Sequence, residues 1–193
     1  MNKTSVHPLL KLNLGCGSYQ INEWINVDIE PACDPDMVWN LEEFPWPWAD
    51  NSVGEILMNH VLEHLGESRT VYLKIIQEIY RVCAPGSIVH IHVPHPRHDH
   101  YLSDPTHVRP ITEEGLRVFD QSANREWESK NWANTPLGLY LGVDFRIRRC
   151  GYVLDPLFQG KIDRGEITWD DVNELVRTHN NVCQQIDIEW QCF

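Results

Sequence analysis

Ten histidines stand in this 193-residue chain, and six of them (90, 92, 95, 98, 100 and 107) fall within 18 residues. Imidazole has an unperturbed pKa near ~6.5, so a histidine at a reacting hydroxyl can accept its proton close to neutral pH. His100 and His107 are the candidate bases, with Asp99 or Asp104 beside them to orient a ring. Arg97 and Arg109, with His95, are candidates for holding the substrate, because a guanidinium fork suits a carboxylate or phosphate. Their other reading is a salt bridge to Asp99 or Asp104. A second set, His60, Glu63 and His64, has i, i+3, i+4 spacing. On a helix the three share a face, and one histidine of the later cluster would complete a nitrogen and oxygen donor set for a divalent metal. Such a metal would bind substrate oxygens and lower a hydroxyl's pKa. The residues leave both mechanisms, base and metal, open.

A third set lies upstream, in LNLGCGSYQINEWINVDIE at 12–30. Gly15 and Gly17 let a ligand approach the backbone closely. Asp28 ends the next apolar run, where a carboxylate can accept two ribose hydroxyls. A dinucleotide fingerprint would add a third glycine and open a long helix. Here Gln20 holds that third position. The six residues between Gly17 and Trp24 leave room for one helical turn at ~1.5 Å per residue. A pyrophosphate needs a helix N-terminus, so NAD fits poorly.

The elements that would position these groups follow from patterning. Apolar runs at 11–14, 24–29, 37–40, 53–58 and 87–93 read as short strands of a mostly parallel α/β sheet. The clearest helix is 68–82, with Val71, Leu73, Ile75, Ile76, Ile79, Tyr80 and Val82 on its buried face. Ser68 is its N-cap and Ala84-Pro85-Gly86 its stop. Thr112 opens a short helix to about 120, and Thr168 caps another. Residues 143–154 and 184–192 alternate as an antiparallel pair of strands. The second could be a sheet edge, and with it a dimer surface. In a doubly wound sheet, ligands bind outside the carboxyl ends of the strands. The loop after 87–93 starts there, which would bring His95, His98, His100 and His107 to the site. His90 and His92 alternate on the strand and read as structural.

Four stretches, in order over residues 11–120, resemble class I S-adenosylmethionine (SAM) dependent methyltransferases, and a small bacterial type-11-like branch of them. They are LNLGCG with NVDI, LEEFPWPWADNSVGEILMNHVLEHL, YRVCAPGSIVHIHVP and DPTHVRPIT. The resemblance implies a Rossmann-like α/β fold with a mostly parallel sheet, an antiparallel C-terminal hairpin and a curtailed first helix. It implies SAM as cofactor. Gly15, Cys16 and Gly17 would sit at its methionine part, with Cys16 a small filler rather than a nucleophile. Asp28 would hold the ribose, Asn40 and Leu41 would flank the adenine, and Asn59 would sit at the methyl-donor pocket. The His60, Glu63, His64 set is similar to the Glu-x-x-Glu-His…His arrangement of small-RNA 2′-O-methyltransferases, with His60 in place of the first Glu. Leu-Glu-His also recurs in family members with no tie to metal. The short helix after Gly17 departs from the pattern and weakens the grip on the methionine carboxylate.

Composition bounds the rest. Hydrophobic residues make up 42 %, enough for one domain over 1–193, with the motifs in about 11–120 and further strands and helices in 121–193. Sixteen basic against 28 acidic residues give a net charge of −12, which repels a phosphate backbone and argues against nucleic acid. No apolar leader and no long apolar run are present, so neither a signal peptide nor a membrane span is expected. The six cysteines form no Cys-x-x-Cys pair, which suits reduced thiols in a cytoplasm. The reading is methyl transfer from SAM to a small polar acceptor, most simply at oxygen, by a monomer or homodimer. A SAM sensor or partner subunit without chemistry is the alternative.

Overall fold

Seven strands form one sheet in the computed structural model, which describes residues 8–193. They are β1 (Leu10–Leu14), β2 (Ile25–Asp28), β3 (Met37–Val38), β4 (Val53–Asn59), β5 (Cys83–Pro94), β6 (Phe145–Leu154) and β7 (Cys183–Cys192). Their order is β3-β2-β1-β4-β5-β7-β6. β1 to β5 pair in parallel, and β7 runs antiparallel to both β5 and β6. The architecture is therefore the α/β sheet with an antiparallel C-terminal pair that the sequence implied. The stretch read as lacking an apolar leader lies partly outside the described residues. Among the described residues no helix is long and apolar enough to cross a membrane.

One expectation is corrected. Residues 184–192 are not an edge, because β7 is bonded on both sides. Ile186, Ile188 and Trp190 all face the core, and Trp190 stacks on Phe145 at 3.9 Å. Burial on that face requires a neighbour on each side, and β3 and β6 are the edges instead.

The sheet's two faces differ because the strands alternate. Leu12, Leu14, Ile56, Met58, Val89, Ile91 and Val93 are fully buried on one face. There they share a core with Ile75, Ile76, Ile79 and Val82 of α1 (Arg69–Val82). Ser68 caps α1, its Oγ accepting the Val71 N–H at 3.2 Å. The other face is polar. Lys11 pairs with Glu55 at 2.7 Å, Glu55 with His90 at 3.0 Å, and Asn59 meets His92 at 3.3 Å. No helix joins β1 to β2, only turns, so that face lacks a helical cover there. The turns bury Asn13 instead, which donates to Tyr19 O at 2.7 Å and Asn26 Oδ1 at 3.0 Å.

Four short helices follow β5: α2 (Asp99–Leu102), α3 (Glu113–Arg117), α4 (Gln121–Ser129) and α5 (Leu137–Leu141). Two more, α6 (Pro156–Asp163) and α7 (Trp169–Thr178), lie between β6 and β7 and close a second small core around Val172 and Val176. Thr112 caps α3, and Thr168 with Asp171 forms a reciprocal capping box on α7.

Candidate functional site

The glycine loop closes over a crevice at the carboxyl ends of β1, β2 and β4. The cavity measures about 250 Å³. Gly15, Asp28, Trp39, Asn40 and Leu41 form one wall, and His60, Val61 and His64 the other. Gly15 has φ 64°, and a Cβ there would lie 2.5 Å from Val61 Cγ2. Only glycine suits that position. Asp28 Oδ2 accepts the Gly17 N–H at 2.7 Å and Oδ1 accepts the Glu30 N–H at 2.9 Å. Each oxygen keeps further acceptor capacity, as a carboxylate has about four acceptor sites. Trp39's indole N–H is buried with no partner among the described residues. A concave crevice, an acceptor at the strand end and an unpaired donor are features that fit a nucleoside ligand.

The structure brings Gly15, Asp28, Asn40 and Leu41 to this crevice. Cys16 lies buried within the loop; burial and the nearby Asp28 raise its thiol pKa, which disfavours the thiolate. Asn59 does not line the crevice, because its carbonyl faces His92. Ile29 was not singled out for the crevice wall, though an apolar residue directly after the strand-end acid was a legible signal.

The six clustered histidines separate into four groups. His90 and His92 hold Glu55 and Asn59 on the open face of the sheet. His98 is 4 % exposed, caps α2 and meets Asp155 at 3.3 Å. His100 is exposed and packs edge-on against His98 at 4.3 Å. Neither reaches the crevice, so the loop does not deliver its four histidines together. His95 and Arg97 line a different cavity of about 660 Å³ with Glu113, Tyr152 and Arg177. Burial, then the Arg97 charge, lowers His95's pKa. Arg97 donates to the Arg177 carbonyl.

His107 is the loop histidine that comes to the crevice edge, its ring 4.6 Å from that of His64. Asp104 Oδ2 stands 3.8 Å from His107 Nε2. Arg109 is engaged elsewhere: its guanidinium lies over the Tyr72 ring at 3.9 Å and donates to Gly66 O. It pairs with neither Asp99 nor Asp104.

His60, Glu63 and His64 do not share a helical face, which corrects the spacing argument. Leu62–His64 is a single 3-10 turn, and His60 has φ 55°, outside it. His60 Nε2 instead meets Gln185 Oε1 at 2.8 Å. Its Nδ1 is 3.4 Å from Glu63 Oε1, an attraction that raises His60's pKa against burial but is too long for a hydrogen bond. Glu63 and His64 converge with His107 instead, one ligand atom of each lying within 4.8 Å of the others.

No family model matches the chain, and no curated protein does. Solved structures do. A SAM-dependent methyltransferase from Archaeoglobus fulgidus is 19 % identical with a TM-score of 0.62, over 95 % of this chain and 86 % of that one. The YcgJ protein from Bacillus subtilis is 13 % identical with a TM-score of 0.52, over 95 % and 91 %. The [4+2]-cyclase SpnF is 15 % identical with a TM-score of 0.53, over 95 % and 75 %. At these identities the likeness is one of fold. By its sheet order and its structural neighbours, this chain has the fold of the class I SAM-dependent methyltransferases.

Proposed function

We propose that the chain binds SAM in the crevice at Gly15 and Asp28 and transfers its methyl group to an oxygen of a small polar acceptor. The observation that carries this is the crevice of about 250 Å³ at the strand ends, lined by Gly15, Asn40 and Leu41 with the Asp28 carboxylate among them. Bound SAM supplies an electrophilic methyl on a sulfonium sulfur. Asp28 accepts the ribose hydroxyls while its own backbone bonds fix the carboxylate. Asn40 and Leu41 flank the base, and Trp39's unpaired indole N–H has an acceptor to find there. The acceptor enters at the His64 and His107 end. Its oxygen would release its proton to water at the open end of the crevice as it took up the methyl, and the sulfonium would leave as the neutral thioether S-adenosylhomocysteine. A net charge of −12 favours small acceptors over a nucleic acid. Six free thiols suit a reducing, cytoplasmic setting.

The second reading is SAM binding without chemistry. It is favoured by the helix-free link between β1 and β2, which gives the methionine carboxylate no helix N-terminus. Incubation with methyl-labelled SAM and a panel of hydroxy acids, sugars and catechol-like diols separates the two. Label in an acceptor with matching S-adenosylhomocysteine supports transfer. Binding with no label in any acceptor supports the sensor.

A further inference from the structure

Glu63 is fully buried, yet neither carboxylate oxygen has a hydrogen-bond partner among the described residues. An ionised carboxylate left so is costly unless something pairs with it. Arg109 in the neighbouring loop makes no ion pair with it. Its guanidinium lies over Tyr72 and donates to Gly66 O, with Nε left unpartnered among the described residues.

The two histidines beside Glu63 are prepared in a matching way. His107 Nδ1 lies 2.8 Å from the Tyr101 carbonyl, which can only accept, so Nδ1 carries the proton and Nε2 the lone pair. Thr106 Oγ1 donates its single proton to Asp104 Oδ1 at 2.6 Å, so it must accept from His64 Nδ1 at 3.0 Å. His64 Nε2 is then left with a lone pair too. Such fixing of the far nitrogen is how ligating histidines are oriented. The backbone holds the set together: Val108 N–H donates to the Glu63 carbonyl at 2.9 Å, and Tyr101 stacks on His107 at 5.1 Å.

We propose that Glu63, His64 and His107 bind a divalent first-row cation such as Zn²⁺, Mn²⁺ or Fe²⁺. Two neutral imidazoles and one carboxylate make a three-ligand set with positions open to solvent or substrate. The cation neutralises Glu63 and leaves one net positive charge at the edge of the crevice that His64 also lines. Its role rests on the methyl-transfer reading: two oxygens of an acceptor would occupy the open positions, and the bound hydroxyl would lose its proton more readily. The set keeps Glu63, His64 and one later histidine from the spacing argument and drops only His60, whose Nε2 is turned to Gln185 while its Nδ1 stands 3.4 Å from Glu63 Oε1.

The test is titration of chelator-treated full-length protein with Zn²⁺ and Mn²⁺ by calorimetry, and with Co²⁺ by its visible absorption. One cation per chain is expected. His107→Ala and Glu63→Gln should each weaken binding by ~100-fold or more, since even the loss of an outer partner costs roughly 10–100-fold. The exposed His100→Ala should bind as wild type. Circular dichroism and S-adenosylhomocysteine binding report folding of each variant separately. No cation bound by wild type, or equal binding by a folded His107→Ala, overturns the site. A protein that takes the cation but not S-adenosylhomocysteine overturns the cofactor reading and leaves the cation site standing.

Discussion

Two glutamates are buried in this molecule, and they are treated oppositely. Glu78, on α1, is 2 % exposed and fully engaged. Its carboxylate accepts the Trp46 N–H at 2.8 Å and Arg81 Nη2 at 2.7 Å, with Lys74 at 3.7 Å. Glu63, at the carboxyl end of the sheet, is 0 % exposed, makes no hydrogen bond through either oxygen and has only His60 Nδ1 near it, at 3.4 Å. The first is a structural ion pair that ties α1 to the loop after β3. The second sits beside the crevice and two histidines with free lone pairs. The contrast between a fully hydrogen-bonded buried charge and one with only a distant imidazole is what the proposed cation site rests on.

Breaking Glu78 should have the largest effect. Glu78→Gln leaves Arg81 with a neutral partner, and a loss of about 3 kcal/mol in urea unfolding at pH 7 is expected. Burial pushes Glu78's pKa up, but the bonds from Arg81 and Trp46 outweigh it and hold the carboxyl below its ordinary value. A depressed folded value means the stabilisation is present above the unfolded value and is lost as pH falls through the folded one. The gap between wild type and variant should therefore close below about pH 4. A gap that widens in acid would contradict the pairing.

Glu63 should respond the other way. At a hundred times its dissociation constant, the cation should stabilise wild type by ~2.7 kcal/mol, a rise in Tm of roughly 5–10 °C. Glu63→Gln should show no such rise and little loss of stability without metal. An equal rise in both proteins would remove the contrast between the two glutamates.

Gly15→Ala moves the test to the crevice, which Glu78 does not touch. The added Cβ meets Val61 with φ at 64°, a strain of roughly 1–3 kcal/mol. S-adenosylhomocysteine binding should be lost and cation binding kept, both read by calorimetry. Cys16→Ala should do least, within about 1 kcal/mol, and keep both ligands, because the thiol only fills space.

The fold was legible because its signals are local. The caps at Ser68, Thr112 and Thr168 and the alternation in β5 and β7 are written within a few residues. Asp28 and Gly15 were readable for the same reason: one strand and one turn place them. The histidines were not. Whether His98, His100 or His107 reaches the crevice depends on how α2 and its flanking loop turn, and that is set by distant partners such as Asp155, Asn181 and the Glu63 carbonyl. The i, i+3, i+4 spacing misled because it assumes an α-helix, and a left-handed His60 before a 3-10 turn breaks the period. β7's interior place depends on pairing with β6, some forty residues earlier in sequence, which alternation alone does not reveal.

The most direct test of the account is calorimetric titration of wild type and Asp28→Asn with S-adenosylhomocysteine. One-to-one binding by wild type, weakened at least ~10-fold in the variant by loss of the charged acceptor, is the predicted result. No binding by wild type, or equal binding by both proteins, would contradict it.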